Sequence, residues 1–177
     1  MSTLLFLMVL LPIVFMLHDF EEIIMFRPWL SRNRDELKTR FPRFEAFLTK
    51  RGFFDYSTSA FALAVCHEFV LLSALSYGAI YTETYTWWFA GFMAFFLHLF
   101  VHIGQWVIYR KYVPVIITSL LSLPYCIFTF RLFVTSGLLS LFEMLLWSSI
   151  GVVAAVLSFP LAFFWASKFN AFQRSRK

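Results

Sequence analysis

Residues able to do chemistry gather in three places along this 177-residue chain, and all four of its histidines are among them. The first group is His18, Asp19, Glu21 and Glu22, the second His67 and Glu68, the third His98 and His102; Glu143 stands alone further on. Each lies inside or at the end of a long apolar stretch, where an ionisable group is costly and by default marks a functional site. His18 pairs with Glu21 and Glu22 at i+3 and i+4, and His98 with His102 at i+4, so each pair projects from one face of a helix. Neutral imidazole and carboxylate are ligands for zinc, iron and manganese, and bundle-core dinuclear centres use such i, i+3 pairs from facing helices. Four His and three Glu exceed the three or four protein ligands of one zinc. The surplus suits a dinuclear centre, or one ion with the remaining residues orienting ligands and moving protons, for which Glu21 and Glu68 are the catalytic candidates.

Charge cost points the same way. An ionised carboxylate at the bilayer centre costs about 2.5–3.5 kcal/mol on insertion scales. Glu21 and Glu22 are shallow enough to reach water, which leaves Glu68 needing compensation from a divalent cation or a proton. A metal-free polar network or proton path therefore stands as an alternative to a metal site. Several neighbours read differently. His67-Glu68 is not a zincin motif, because the second His would fall at Leu71. Histidines 98 and 102 have the HxxxH spacing of membrane desaturases, without the other two His boxes. Asp19 lies about 100 degrees round the helix from His18 and is expected to snorkel or cap. Glu143 is expected to be solvated, and Gln105 either orients a ligand or sits at the interface.

These groups are positioned by a chain that is 60% hydrophobic and only 14% charged, far from the composition of soluble domains. Apolar stretches over about 3–26, 56–81, 84–109, 112–134 and 138–167 are each long enough to cross a bilayer. The fold expected is therefore an all-α integral membrane protein, a single five-helix transmembrane bundle. The first stretch lacks the basic start and small-residue cleavage site of a secretory signal. Pro12, Pro114, Pro124 and Pro160 lie inside or near spans, where they kink helices without ending them. Fourteen of the 15 Lys and Arg residues fall on one side, which places the N-terminus outside and the C-terminus in the cytoplasm of a plasma-membrane protein. Counted from the cytoplasmic ends, His18, His67, Glu68, His98 and His102 then lie about 11–18 Å deep, at one level. Residues 27–55 form a basic cytoplasmic loop; Leu37, Phe41, Phe44 and Leu48 recur at helical spacing, which suits either interfacial helix turns restarted at Pro42 or a plain loop. Gly151 and Ala155 are a small-xxx-small helix-packing pair. Cys66 and Cys126 suggest no disulfide. Aromatics among basic residues carry no nucleic-acid signal in this setting.

At His18-Asp19-Phe20-Glu21-Glu22 the sequence resembles the HXXEE membrane proteins, with His67-Glu68 and the His98/His102 pair in later spans. The resemblance implies His18, Glu21 and Glu22 as site residues and a suspected metal-dependent activity, with no substrate. The expected function is a membrane-embedded metalloenzyme, of hydrolase or oxygenase and hydroxylase type. Its ligands would be His18, Glu21, Glu22, His67, Glu68, His98 and His102, its metal zinc or iron, its substrate a lipid or another hydrophobic small molecule. A metal- or haem-binding protein or proton-coupled transporter without enzymatic activity is the alternative, against which no repeat between halves is found.

Overall fold

The computed structural model describes residues 2–176. Among them are six α-helices, one 3-10 turn and no strand: α1 (Thr3–Arg40), α2 (Pro42–Lys50), the turn at Phe53–Asp55, α3 (Thr58–Thr82), α4 (Tyr85–Tyr109), α5 (Ile116–Ser136) and α6 (Leu141–Arg174). All but α2 are long and apolar enough to cross a membrane.

The largest departure from the sequence expectation is at residues 27–55, which are mostly helical. The helix does not stop where the apolar run ends at Phe26; α1 continues to Arg40, which at 1.5 Å per residue makes it about 57 Å long. Leu30 and Leu37 explain the continuation. Both are buried in a cluster with Leu48 of α2 and with Tyr109, Val113 and Ile116 from the α4–α5 junction. The stop comes at Phe41, whose φ of −135° is the non-helical backbone favoured before a proline. Pro42 then opens α2, as a proline at the first helical position should. That second helix folds back on the first: Arg34 pairs with Glu45 at 3.2 Å and Leu48 is buried, while Phe44 and Phe47 are exposed. Leu37 and Leu48 thus pack on protein and are not left over for an apolar face shared with Phe44.

Other boundaries shift by a few residues for local reasons. The fourth stretch begins as helix only at Ile116, because Pro114 and a left-handed Val115 (φ 67°) precede it. The fifth begins at Leu141 behind a capping box, in which Glu143 accepts from the Ser140 amide at 2.8 Å and Ser140 caps the Glu143 amide. Glu143 is therefore a helix cap, a role the sequence reading did not give it.

α4 is the central helix, packed on α6, α5, α3 and α1. One half of the bundle is filled by a stack of Trp88, Phe92 and Phe133, with Trp88 and Phe133 centroids 5.6 Å apart and nearly parallel, and with Phe89 against both phenylalanines. Pro12 deprives the Met8 carbonyl of its helical partner, and the Trp88 indole donates to that oxygen at 3.3 Å. Gly151 makes the α4–α6 crossing: a Cβ there would sit 2.0 Å from the Ala90 carbonyl oxygen.

Candidate metal centre

In the other half, polar side chains from five helices meet. His18 comes from the middle of α1, fully buried, and His98 and His102 from successive turns of α4. One nitrogen of each lies within 4.8 Å of one nitrogen of each of the others. The α4 pair is in contact, Nε2 to Nε2 at 2.8 Å with rings almost perpendicular. His18 stands beside both, with ring centroids at 5.7 Å from His98 and 5.4 Å from His102. Phe95 closes the site edge-on to His18, and Phe159 of α6 lies 6.4 Å from His98.

Hydrogen bonds set which nitrogens face inward. Gln105, one turn beyond His102, has its amide oxygen 3.0 Å from His102 Nδ1. An oxygen there requires Nδ1 to carry the proton, so His102 Nε2 is a lone pair, and at 2.8 Å it accepts from His98 Nε2. On the other side, Thr118 near the start of α5 donates its hydroxyl to Glu21 at 2.7 Å and its amide to the same oxygen at 2.8 Å. With its proton committed to the carboxylate, the Thr118 oxygen is the acceptor for His18 Nδ1 at 3.5 Å. His18 Nε2 is then a bare lone pair. It is buried with no hydrogen-bond partner among the described residues, and the Asp19 carboxylate stands 3.9 Å away. A buried nitrogen left unpaired costs about 1–3 kcal/mol, and a lone pair of this kind is what a metal ion would engage.

Beside the histidines is an acidic flank. Asp19 is 4% exposed and lies within electrostatic reach of Glu22, one turn along α1, and of Glu68 on α3. Glu68 is held by the Ser158 hydroxyl of α6 at 2.9 Å and by His67 Nδ1 at 3.3 Å. Rotation about the helix axis explains Asp19: being about 100 degrees from His18 turns it away from α4 towards α3, not out of the bundle. The snorkelling or capping role expected for it is thus replaced by burial. Glu21 is committed elsewhere, since both its oxygens accept hydrogen bonds, one from Tyr112 at 2.7 Å and the other from Thr118.

Of the seven expected ligands, then, the structure brings His18, His98 and His102 to ligand spacing. Glu21 reaches His18 through Thr118, while Glu22, His67 and Glu68 stand outside the three-histidine group. A model of the family described as "Protein of unknown function with HXXEE motif" matches residues 9–129, more than half of the chain. The chain belongs to the HXXEE family. No curated protein and no solved structure matches it. The matched segment contains every side chain of the centre except Ser158 and Phe159, and it includes the three residues that sequence reasoning missed here, Asp19, Tyr112 and Thr118. Asp19 carried a signal, a carboxylate within an apolar run; Tyr112 and Thr118 carried none, because their role depends on where α5 begins. The HXXEE residues have separate duties: His18 in the cluster, Glu21 in the clasp to α5, Glu22 on the acidic flank.

Proposed function

We propose that this protein is an integral membrane metalloenzyme, its N-terminus outside and its C-terminus cytoplasmic, acting on a lipid or another hydrophobic substrate. The observation that carries the reading is His18 Nε2, a buried lone pair with no partner, beside two more imidazoles from the next helix. A tetrahedral zinc with bonds of about 2.0–2.1 Å sets its nitrogens about 3.3–3.4 Å apart, so the cluster needs only small side-chain shifts to fit one. Three histidines with an open fourth position is a catalytic more than a structural donor set, and it suits zinc or iron. The donor set favours one ion over two. The imidazoles touch one another, which leaves no gap for a porphyrin plane and weighs against haem.

His18, His98 and His102 would hold the ion, and Gln105 and the Glu21–Thr118 pair fix the two ring orientations. A divalent transition metal supplies Lewis acidity and an activated water there. Asp19, 3.9 Å from His18 Nε2, is the carboxylate placed to accept or return a proton, with Glu22 and Glu68 in electrostatic reach of it. Exposed aromatic and aliphatic side chains on α4 and α6, Phe100, Leu157 and Phe164 among them, suit an approach from lipid.

The membrane orientation is tested by single cysteines: one at Ser31 is expected to react only from the cytoplasmic side and one at Thr84 only from outside. For the activity, the full chain in lipid nanodiscs is incubated with a total lipid extract, with zinc or ferrous iron added or with a chelator, and the lipids are compared by mass spectrometry. A product that requires metal and is absent for His98→Ala/His102→Ala supports an enzyme. Metal retention with no product in any arm would reduce the reading to metal binding without catalysis.

A further inference from the structure

A cleft of about 520 Å³ lies away from the histidines, where the last turns of α6 meet the first turn of α3 and the end of the apolar run in α1. Its charge is one-sided. Arg27, Arg174 and Arg176 line it against a single acid, Asp55. Arg174 is tied to Asp55, donating to the backbone carbonyl at 2.8 Å and to the carboxylate at 3.3 Å. Arg27 has no hydrogen-bonded or ionic partner among the described residues, and Arg176 only stacks on the Phe172 ring at 4.3 Å. Two guanidinium groups are therefore free to take an anion.

The helix end adds to this. Ser57 caps α3 by accepting from the Ala60 amide at 3.1 Å, and its own amide is bound by Asn170 of α6 at 3.0 Å. The amides of Thr58 and Ser59 have no acceptor among the described residues, as expected of the first positions of a 25-residue helix. Unfilled amides with the positive end of the helix dipole favour a phosphate at this place. Below the cleft the surface turns apolar: Phe172, Trp165, Phe164 and Leu161 along α6 are each about half exposed.

We propose that this cleft binds the phosphate of an anionic phospholipid, its acyl chains lying along the exposed face of α6. The basic rim and the adjoining apolar face together fit a headgroup with chains; a free phosphate would use the rim alone. The inference rests on the membrane reading above and is independent of the metal centre.

The test is native mass spectrometry of the detergent-purified full chain, titrated with phosphatidylglycerol, with phosphatidylcholine, or with sodium phosphate. Wild type is expected to retain one phosphatidylglycerol in preference to phosphatidylcholine. Arg27→Ala/Arg176→Ala removes two unpaired cations and should weaken that retention roughly tenfold or more. Arg43→Ala/Arg51→Ala, neither of which lines the cleft, should leave it unchanged. Equal losses in the two double variants, or equal retention of both lipids, would overturn the site. Inorganic phosphate competing as well as the lipid would overturn the phospholipid assignment. Recovery of wild type from the soluble fraction without detergent would instead sink the membrane reading itself.

Discussion

The two halves of the bundle are built from the same helices and differ in what fills them, large aromatic rings in one and ionisable side chains in the other. Around Trp88, Phe92 and Phe133 every large side chain packs against another, and even the carbonyl freed by Pro12 finds a donor. Two or three turns along α4, around His98 and His102, His18 keeps a buried nitrogen with no partner among the described residues, and Asp19 is buried within electrostatic reach of Glu22 and Glu68. Unpaired hydroxyls also occur at Ser73, Ser76 and Thr129, but it is the second region that gathers ionisable groups. The aromatic half holds the helices in register, and the polar half uses that rigidity to keep poorly satisfied groups together.

The comparison breaks most visibly if the aromatic half is disturbed. Trp88→Ala removes the largest fully buried side chain and strips the Met8 carbonyl of its donor, and a loss of about 3–5 kcal/mol is expected, read as a fall in the thermal midpoint in detergent. Gly151→Leu forces the α4–α6 crossing apart, because even a Cβ meets the Ala90 carbonyl at 2.0 Å. Its cost should be about 1–3 kcal/mol or more by the same measurement, and a neutral result would mean that the crossing is looser than drawn.

The polar half should respond with the opposite sign. In chelator, His18→Leu removes an unpaired buried nitrogen and is expected to raise stability by about 1–2 kcal/mol. With metal supplied, the same change should lose the metal-linked stabilisation that wild type shows. If His18→Leu destabilises the chelated protein as much as Trp88→Ala does, the contrast between the halves fails.

The smallest effect belongs to the hairpin of α1 and α2. The hydrogen bond from Thr49, opposed by partial burial and aided by Arg34 and Lys38, holds the Glu45 carboxyl below its usual value. A carboxyl lowered on folding contributes stability above its unfolded value of about 4.5 and loses it as pH falls through the folded one. Acidification below about pH 4.5 should therefore loosen α2 from α1 while the bundle stays closed. Proteolysis within 41–52 should rise at low pH, and Glu45→Gln should abolish that dependence.

Much of this was legible in the sequence, and the gaps have physical causes. The five long apolar helices follow from run length, and the meeting of His18 with His98 and His102 from their similar depth counted from the charged ends of their spans. The continuation of α1 past Phe26 was hidden because Leu30 and Leu37 look incidental among charges until Leu48 and Val113 are brought against them. Glu21 was read as a ligand because spacing gives its face but not its neighbour. That neighbour, Thr118, is positioned by a left-handed Val115, a conformation rare for a β-branched residue and unsignalled by sequence. Asp19 was set aside by considering one helix alone, although α1 faces α3 on one side and α4 on another.

The central claim is that three histidines form a metal centre, and metal content tests it most directly. The full chain, purified without chelators and reloaded with zinc or ferrous iron, is analysed by plasma mass spectrometry beside His98→Ala/His102→Ala and Glu143→Gln. One ion per chain is predicted for wild type and for Glu143→Gln, which keeps its capping side chain, and only traces for the double histidine variant. Trace metal in all three proteins, or equal retention by the histidine variant, would contradict the account and leave the cluster a metal-free polar network.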